Sequence, residues 1–172
     1  MKNLNHKNKI YHVLFISIAL LFQNCELFGE DNDTPQLPEA TQSGKGTFGY
    51  IVNGEVVNIT NTSAQVAIYQ GGFIQFGSAG VYIVALDPFT TGVSYEFKDI
   101  GEGVSRAKYT TKVSENKFCL YEYKDTYEGF VKFTKIDRVN YIISGTFEFS
   151  TKTDDCEDIK ITQGVFDLKY IP

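Results

Sequence analysis

The sequence predicts an all-β fold: a single antiparallel β-sandwich or barrel-like domain over residues 47–172, with about ten to twelve strands. Three observations lead to this prediction. Short runs rich in Val, Ile, Thr, Tyr and Phe follow residue 46 and are broken by Gly, Asn or Asp every 6–12 residues. The later runs alternate apolar and polar residues, as strands with one buried and one wet face do. No stretch of this region shows the apolar period of a three-turn helix.

A leader precedes this domain. Residues 1–12 carry three lysines and no acid, and residues 13–22 form an apolar run interrupted by one serine. A transmembrane helix needs roughly 20 apolar residues, so this run is too short to be one. A basic start followed by a short apolar run is typical of a secretory signal peptide. Residues 1–24 are therefore predicted to be a signal peptide.

Cys25 comes directly after the leader, in the stretch "FQNCELFGEDND". The residues before it lack the small side chains that ordinary cleavage needs, so the position predicts lipoprotein processing, with cleavage before Cys25 and acylation of its thiol. Two or three acyl chains are needed for a stable anchor. Phe22 and Asn24 depart from the usual lipoprotein pattern. An ordinary signal with a chance cysteine, or an uncleaved anchor, are the alternatives.

Residues 25–46 are predicted to be the lipidated cysteine and a flexible acidic tether. After Cys25 the stretch has two prolines, three glycines, five acids and one lysine, with no apolar period to bury. The acids that follow Cys25 have a second interpretation, a sorting signal to the cell surface, and the two interpretations stand side by side.

The first strands are predicted as hairpins. In "TFGYIVNGEVVNI" the pair Asn53 and Gly54 separates two β-prone runs, and both residues tolerate the positive φ of a two-residue turn. "AQVAIYQGGFIQFG" repeats this arrangement across Gly71 and Gly72. "GVYIVALD", residues 80–87, is apolar on both faces, which predicts a central strand covered on both sides.

The last two runs show the clearest alternation. In "YIISGTFEFS" one face is predicted to be buried and to contain Tyr141, Ile143, Gly145, Phe147 and Phe149. In "VFDLKYI" we expect Phe166, Leu168 and Tyr170 to face the core, while Val165, Asp167 and Lys169 face outwards. These patterns predict antiparallel strands at the end of the chain.

Two cysteines remain once Cys25 is lipidated. An even number of cysteines in an oxidising compartment predicts a disulfide between Cys119 and Cys156. Closing a loop of this length stabilises the fold by about 4 kcal/mol in the chain-entropy model. Two buried unpaired thiols are the alternative. The polar surroundings of Cys156 in "TKTDDCED" favour the bridge.

Composition excludes several functions. Removing residues 1–24 takes away three lysines, no acid, both histidines and the only methionine, which leaves 13 basic and 21 acidic residues and a net charge of −8. This charge argues against nucleic-acid binding. Without histidine there is no Ser-His-Asp or Cys-His nucleophile system and no histidine-containing zinc site. Carboxylate chemistry is what remains, and we predict that the protein is not an enzyme.

Both ends of the domain resemble a known family. "DRVNYIISGTFEF" and "IKITQGVFDLKY" near the carboxyl terminus, and "LPEATQSGKGTFGYIVNGEVV" at the start, are similar to a domain-of-unknown-function family of Bacteroidota lipoproteins. Residues 64–120 match only in their rhythm of short strands. Tyr50 stands where many members have cysteine, and Val165 where arginine is usual. The family has no established activity, so the resemblance implies a tethered β-domain and no mechanism.

Two residue sets are candidate sites. The acids of "TDDCEDIKIT" offer oxygen ligands for calcium, but they lack the spacing and glycine of a calcium loop, and a solvated turn is the favoured interpretation: Asp154, Asp155, Glu157, Asp158. Seven tyrosines are candidates for a sugar-stacking platform, although packing across strands explains them equally well: Tyr69, Tyr82, Tyr95, Tyr109, Tyr121, Tyr123, Tyr127.

These observations predict an outer-membrane lipoprotein held by lipid on Cys25, at the cell surface or facing the periplasm. We expect a non-catalytic binding or assembly module with a protein or glycan partner, no nucleic acid, no cofactor and no metal. The alternatives are a structural envelope protein without a ligand and, less favoured, a carboxylate-based glycan hydrolase. Binding predicts an exposed aromatic or concave patch, a structural role a uniformly polar surface, and hydrolysis two acids in a cleft.

Overall fold

The computed structural model describes residues 35–98 and 105–172, so the predicted leader, Cys25 and the first part of the predicted tether lie outside the described residues. The all-β prediction is confirmed, with two antiparallel sheets that pack as a sandwich and do not close into a barrel. The described strands are β1 (Thr47–Val52), β2 (Glu55–Ile59), β3 (Gln65–Gln70), β4 (Phe73–Ser78), β5 (Val81–Leu86), β6 (Ser94–Glu96), β7 (Arg106–Ser114), β8 (Lys117–Tyr121), β9 (Thr126–Asp137), β10 (Ile142–Thr151) and β11 (Ile159–Lys169).

The strands divide into a six-stranded and a five-stranded sheet. The six-stranded sheet has the order β2-β1-β11-β10-β9-β6, and the five-stranded sheet has the order β3-β4-β5-β7-β8. Both predicted hairpins are confirmed. Asn53 and Gly54 join β1 to β2 with φ values of 47° and 94°, and Gly71 and Gly72 join β3 to β4 with 61° and 83°. Positive φ at both turn residues matches the right-handed twist of the flanking strands.

Aromatic rings from both sheets form the core. Phe76 of the five-stranded sheet packs on Phe166 of the six-stranded sheet, with ring centroids 4.5 Å apart. Gly145 on β10 lies opposite Phe166 on β11, and a Cβ on this glycine would lie 2.8 Å from Cζ of that ring and 2.2 Å from the Lys132 carbonyl oxygen. The glycine of "SGTF" is therefore required by the close approach of its neighbours.

Both edges of the five-stranded sheet are tied to the other sheet. At the β3 edge, Ile171 follows β11 and bonds to β3: Tyr69 N–H donates to the Ile171 carbonyl (2.7 Å), and Ile171 N–H donates to the Ala67 carbonyl (2.9 Å). At the β8 edge, Cys119 forms a disulfide with Cys156 in the β10–β11 connection. The predicted pairing of these two cysteines is thus present.

Three sequence expectations need correction. Tyr141, expected on the buried face of β10, precedes that strand and is 43% exposed. β5 is central in its sheet, as predicted, and Val84 on its outer side is buried, but Tyr82 on the same side is only partly buried. Asp167 lies between the core residues Phe166 and Leu168 and so points away from the core, but it is only 1% exposed. Residues 41–45, part of the predicted tether, fold over it. The prediction that Asp167 faces outwards was right in direction and wrong in exposure.

Candidate functional site

The outer face of the five-stranded sheet holds the side chains of most interest. Ile83 and Ala107 are fully buried on the core side of β5 and β7, so their neighbours Tyr82 and Lys108 point to the outer side, where they form a cross-strand pair. Arg106 lies on the same side, two residues before Lys108. Alternation along two adjacent strands thus places a ring beside two cations.

A one-turn 3-10 helix, Tyr123–Asp125, adds a second ring to this face. The Asp125 side chain accepts a hydrogen bond from Glu122 N–H at 2.8 Å, and Asp125 N–H donates to the Glu122 carbonyl at 3.0 Å, so two bonds between the same residues close the turn. Thr126 then ties the turn to β7 because its buried hydroxyl donates to the Ala107 carbonyl at 2.9 Å. This turn holds Tyr123 over β7.

The four side chains form an aromatic–cation cluster: Tyr82, Lys108, Tyr123 and Arg106. Lys108 Nζ lies 5.4 Å from both the Tyr82 and the Tyr123 ring centroid, and Arg106 Cζ lies 5.3 Å from the Tyr123 centroid. These distances are within the range of cation–π attraction. Burial raises the pKa of Tyr123. The nearby Tyr82 hydroxyl raises this pKa further and the Arg106 guanidinium lowers it, so the Tyr123 phenol stays neutral at physiological pH.

The cations of this face lack acidic partners in the described part of the chain. No described carboxylate oxygen lies within 4.0 Å of Arg106, Lys108 or Lys112. The contrast is Arg138, which also stacks on rings but has Asp87 at 2.6 Å. Arg106 Nε is buried and has no hydrogen-bond partner among the described residues.

A shallow groove of about 510 Å³ runs beside the cluster. Gly77 on β4 pairs with Val66 on one side and with Tyr82 on the other, and its missing side chain lowers the floor between them. The Tyr82 hydroxyl donates to the Gln75 side-chain oxygen, which leaves the Gln75 NH2 group as a donor on the groove wall. The groove therefore combines a ring, a cation and amide donors.

Exposed apolar side chains border this face at its two edges. Phe118 is 62% exposed and Leu120 51% exposed on β8, and Val66 is 45% exposed on β3. Lys112 Nζ lies 6.0 Å from the Phe118 ring centroid, which extends the pairing of cations and rings to the sheet edge. The outer face is therefore not uniformly polar, contrary to what a structural protein without a ligand predicts.

The structure divides the seven candidate tyrosines into separate groups. Tyr109 and Tyr121 are core residues, and Tyr82 and Tyr123 share the cluster. The remaining three lie elsewhere: Tyr69 against Tyr170, Tyr95 against Phe133, and Tyr127 beside Lys152. A single seven-ring platform is therefore not formed. Alternate cations in "RAKYTTK" are visible in the sequence, but Tyr123 comes from a turn whose position only the fold supplies.

Two acids line a second depression, of about 300 Å³, on the six-stranded sheet. Glu128 and Glu148 lie on adjacent strands, where Ser150 pairs with Glu128 and Phe130 with Glu148. Each carboxylate already accepts a hydrogen bond within its own sheet. The Ser150 hydroxyl donates to Glu128 at 2.8 Å, and Gln163 N–H donates to Glu148 at 3.3 Å. Both acids therefore have a structural role in joining strands.

The acids of "TDDCED" lie around the disulfide loop. Asp154 and Asp155 form an exposed turn, Cys156 is bonded to Cys119, and the Glu157 carbonyl accepts a hydrogen bond from the Tyr121 hydroxyl at 2.7 Å. In residues 35–98 and 105–172, no three His, Cys, Asp or Glu side chains are grouped closely enough to hold a metal ion. This connection joins the two sheets.

Among the described acids, Asp167 has the most strongly lowered pKa. It accepts five hydrogen bonds, three from backbone N–H groups and two from hydroxyls: Ser43 N, Gly44 N, Lys45 N, Thr41 Oγ1 and Ser144 Oγ. Burial acts to raise its pKa, but these bonds outweigh burial and lower the pKa to about 2. Both carboxylate oxygens accept hydrogen bonds, and four of the five bonds hold residues 41–45, so we assign Asp167 a structural role.

Comparison of the chain with models of protein families, with curated proteins and with solved structures gives no match. Among the described residues, no helix has the length and apolar character to cross a membrane.

Proposed function

We propose that the protein is a lipid-anchored, non-catalytic binding module of the cell outer membrane, and that it binds its partner through the outer face of the five-stranded sheet. The anchor is proposed on Cys25, which follows a basic and apolar leader. The resemblance to Bacteroidota lipoproteins supports the same address. The proposed binding face lies within the described domain.

The observation that carries the proposal is a cation-rich face in a chain with 16 basic and 21 acidic residues. Arg106, Lys108 and Lys112 lie at alternate positions of β7 with no described carboxylate partner, and two tyrosine rings lie against the first two. Arg138 also lies over aromatic rings, but it is paired with Asp87. Arginine and aromatic side chains together on an accessible face are typical of a recognition surface.

The alternatives have less support. A structural protein without a ligand does not account for the exposed Phe118 and Leu120 beside cations that have no carboxylate partner among the described residues. A hydrolase would use Glu128 and Glu148, yet both carboxylates accept hydrogen bonds from neighbouring strands. Binding accounts for the cluster and for the groove beside it.

The test is binding of the Cys25→Ser chain, which has no lipid to insert into membranes, to washed outer-membrane fragments that retain their surface polymers. In this background we expect Tyr123→Ala to weaken binding about tenfold, because the partly buried ring contributes contact area and lies against Arg106. Tyr127→Ala is the matched control, since Tyr127 is 56% exposed and also lies beside a cation, Lys152. Equal binding by both variants and the parent chain would remove the outer face from consideration.

A further inference from the structure

We propose that the ligand of the aromatic–cation cluster is an anionic saccharide, a polymer of sugar rings that carry carboxylate or sulfate groups. This inference rests on the proposed function and names the ligand class for the same face. It follows from three properties of the cluster: its positive charge, its flat aromatic rings and the small number of its cations.

The charge requires an anion. Three cations on one side of β7 create a local positive potential in a chain whose net charge is −5. The guanidinium of Arg106 presents N–H donors in a planar fork that fits a carboxylate or a sulfate.

The rings require a ligand with a flat, partly apolar face. Tyr82 and Tyr123 lie on either side of Lys108 Nζ at equal distances, so an acidic group bound to Lys108 brings the rest of its molecule against one ring or the other. Sugar rings present C–H groups on their faces and hydroxyls at their edges. The groove supplies the Gln75 amide and the Thr110 hydroxyl for those hydroxyls.

The extent of the cluster distinguishes a saccharide from other polyanions. A nucleic acid has a phosphate on every nucleotide and needs a long basic stripe, whereas this face has three cations and the chain is acidic overall. A charged lipid surface would meet many cations at once, with the apolar side chains inserted. An acidic saccharide needs only a few cations beside aromatic rings, and this cluster supplies them.

The experiment is calorimetric titration of the full-length chain in detergent with a galacturonic acid hexamer and with dextran sulfate. The matched neutral probes are the fully methyl-esterified hexamer and unmodified dextran, which keep the rings and remove the charge. We expect at least about tenfold weaker binding of the neutral probes, and weaker binding at higher salt. Lys108→Met and Arg106→Gln should each reduce binding of the charged probe about tenfold.

Lys152→Met is the control, because Lys152 lies 5.7 Å from the Tyr127 ring in a similar exposed pair, and it should leave binding unchanged. Unchanged thermal melting of each variant establishes that it is folded. Equal binding of esterified and free hexamers, tighter binding of a thymidine oligonucleotide, or no binding of either charged saccharide would overturn the inference. If envelope binding still depends on Tyr123 in that case, the ligand class is wrong and the proposed function stands.

Discussion

At the scale of single residues, Asp167 shows how one carboxylate organises the start of the domain. It lies on β11 between β1 and β10, and it holds residues 41–45 through backbone and hydroxyl donors. Alternation predicts that Asp167 points away from the core, and it does. Sequence does not predict that residues 41–45 cover it, because those residues are polar and show no apolar period. Their position depends on the carboxylate itself.

Replacing Asp167 by Asn should destabilise the fold by about 2–3 kcal/mol, since a neutral amide cannot accept as many bonds from buried donors. Its folded pKa of about 2 lies below the reference value of 3.8. The charge therefore stabilises the native state above about pH 4, and this contribution is lost as pH falls from about 4 to about 2. Urea unfolding at pH 7 and pH 3 measures both effects, and the variant should lose less stability than the parent on acidification.

Asp154→Asn is the control for that experiment, because Asp154 lies in an exposed turn. A surface substitution of this kind should change the free energy of unfolding by no more than about 0.5 kcal/mol. If Asp167→Asn were equally mild, or if it kept the acid sensitivity of the parent chain, Asp167 would not be the group that holds residues 41–45.

At the scale of elements, the strands and turns follow from local sequence, and the pairing of distant elements does not. Asn53-Gly54 and Gly71-Gly72 fix two hairpins because few residues other than glycine and asparagine adopt their φ values. The position of β11 between β1 and β10 depends on side chains far apart in sequence. The same limit applies to the candidate site, since Lys108 and Tyr82 belong to strands while Tyr123 is brought to them by a turn.

The disulfide is the element-scale link with the clearest test. Cys119 and Cys156 are 37 residues apart. Joining them lowers the conformational entropy of the unfolded chain, which raises the free energy of unfolding by about 4 kcal/mol in the loop-entropy model. In a Cys25→Ser background, where no third thiol can exchange, reductant should lower the free energy of unfolding by about 2–4 kcal/mol. The Cys119→Ala/Cys156→Ala variant should be less stable and should not respond to reductant. A parent chain that ignores reductant would contradict the role given to this bridge.

At the scale of the whole molecule, the described domain and the proposed address are supported by different kinds of observation. Composition and strand rhythm predict the sandwich, since apolar alternation records which faces are buried. The absence of histidine after residue 24 narrows the possible chemistry without identifying a partner. The membrane location is inferred from Cys25 and the leader before it, which lie outside the described residues, and it stays a prediction.

Cys25→Ser tests that address directly. If Cys25 is the lipidated residue, the serine variant cannot be acylated and should leave the membrane fraction after lysis, while the parent chain stays in it. Protease treatment of intact cells, followed by immunoblotting, then shows which side of the membrane the parent domain occupies. A serine variant that remains in washed membranes to the same extent as the parent chain would contradict a lipid anchor at this position.

The Asp167 contacts also determine where mechanical force enters the domain. A pull arriving along the chain from its amino-terminal side first loads a single hydrogen bond, from Asn58 of the edge strand β2 to the Gln36 carbonyl, and then reaches residues 41–45 before β1. Several hydrogen bonds to one carboxylate then share the load, and they pass it to β11, in the interior of the six-stranded sheet. Force that enters at an interior strand cannot peel the sheet one edge strand at a time. The arrangement suits a domain that is pulled from its amino-terminal side.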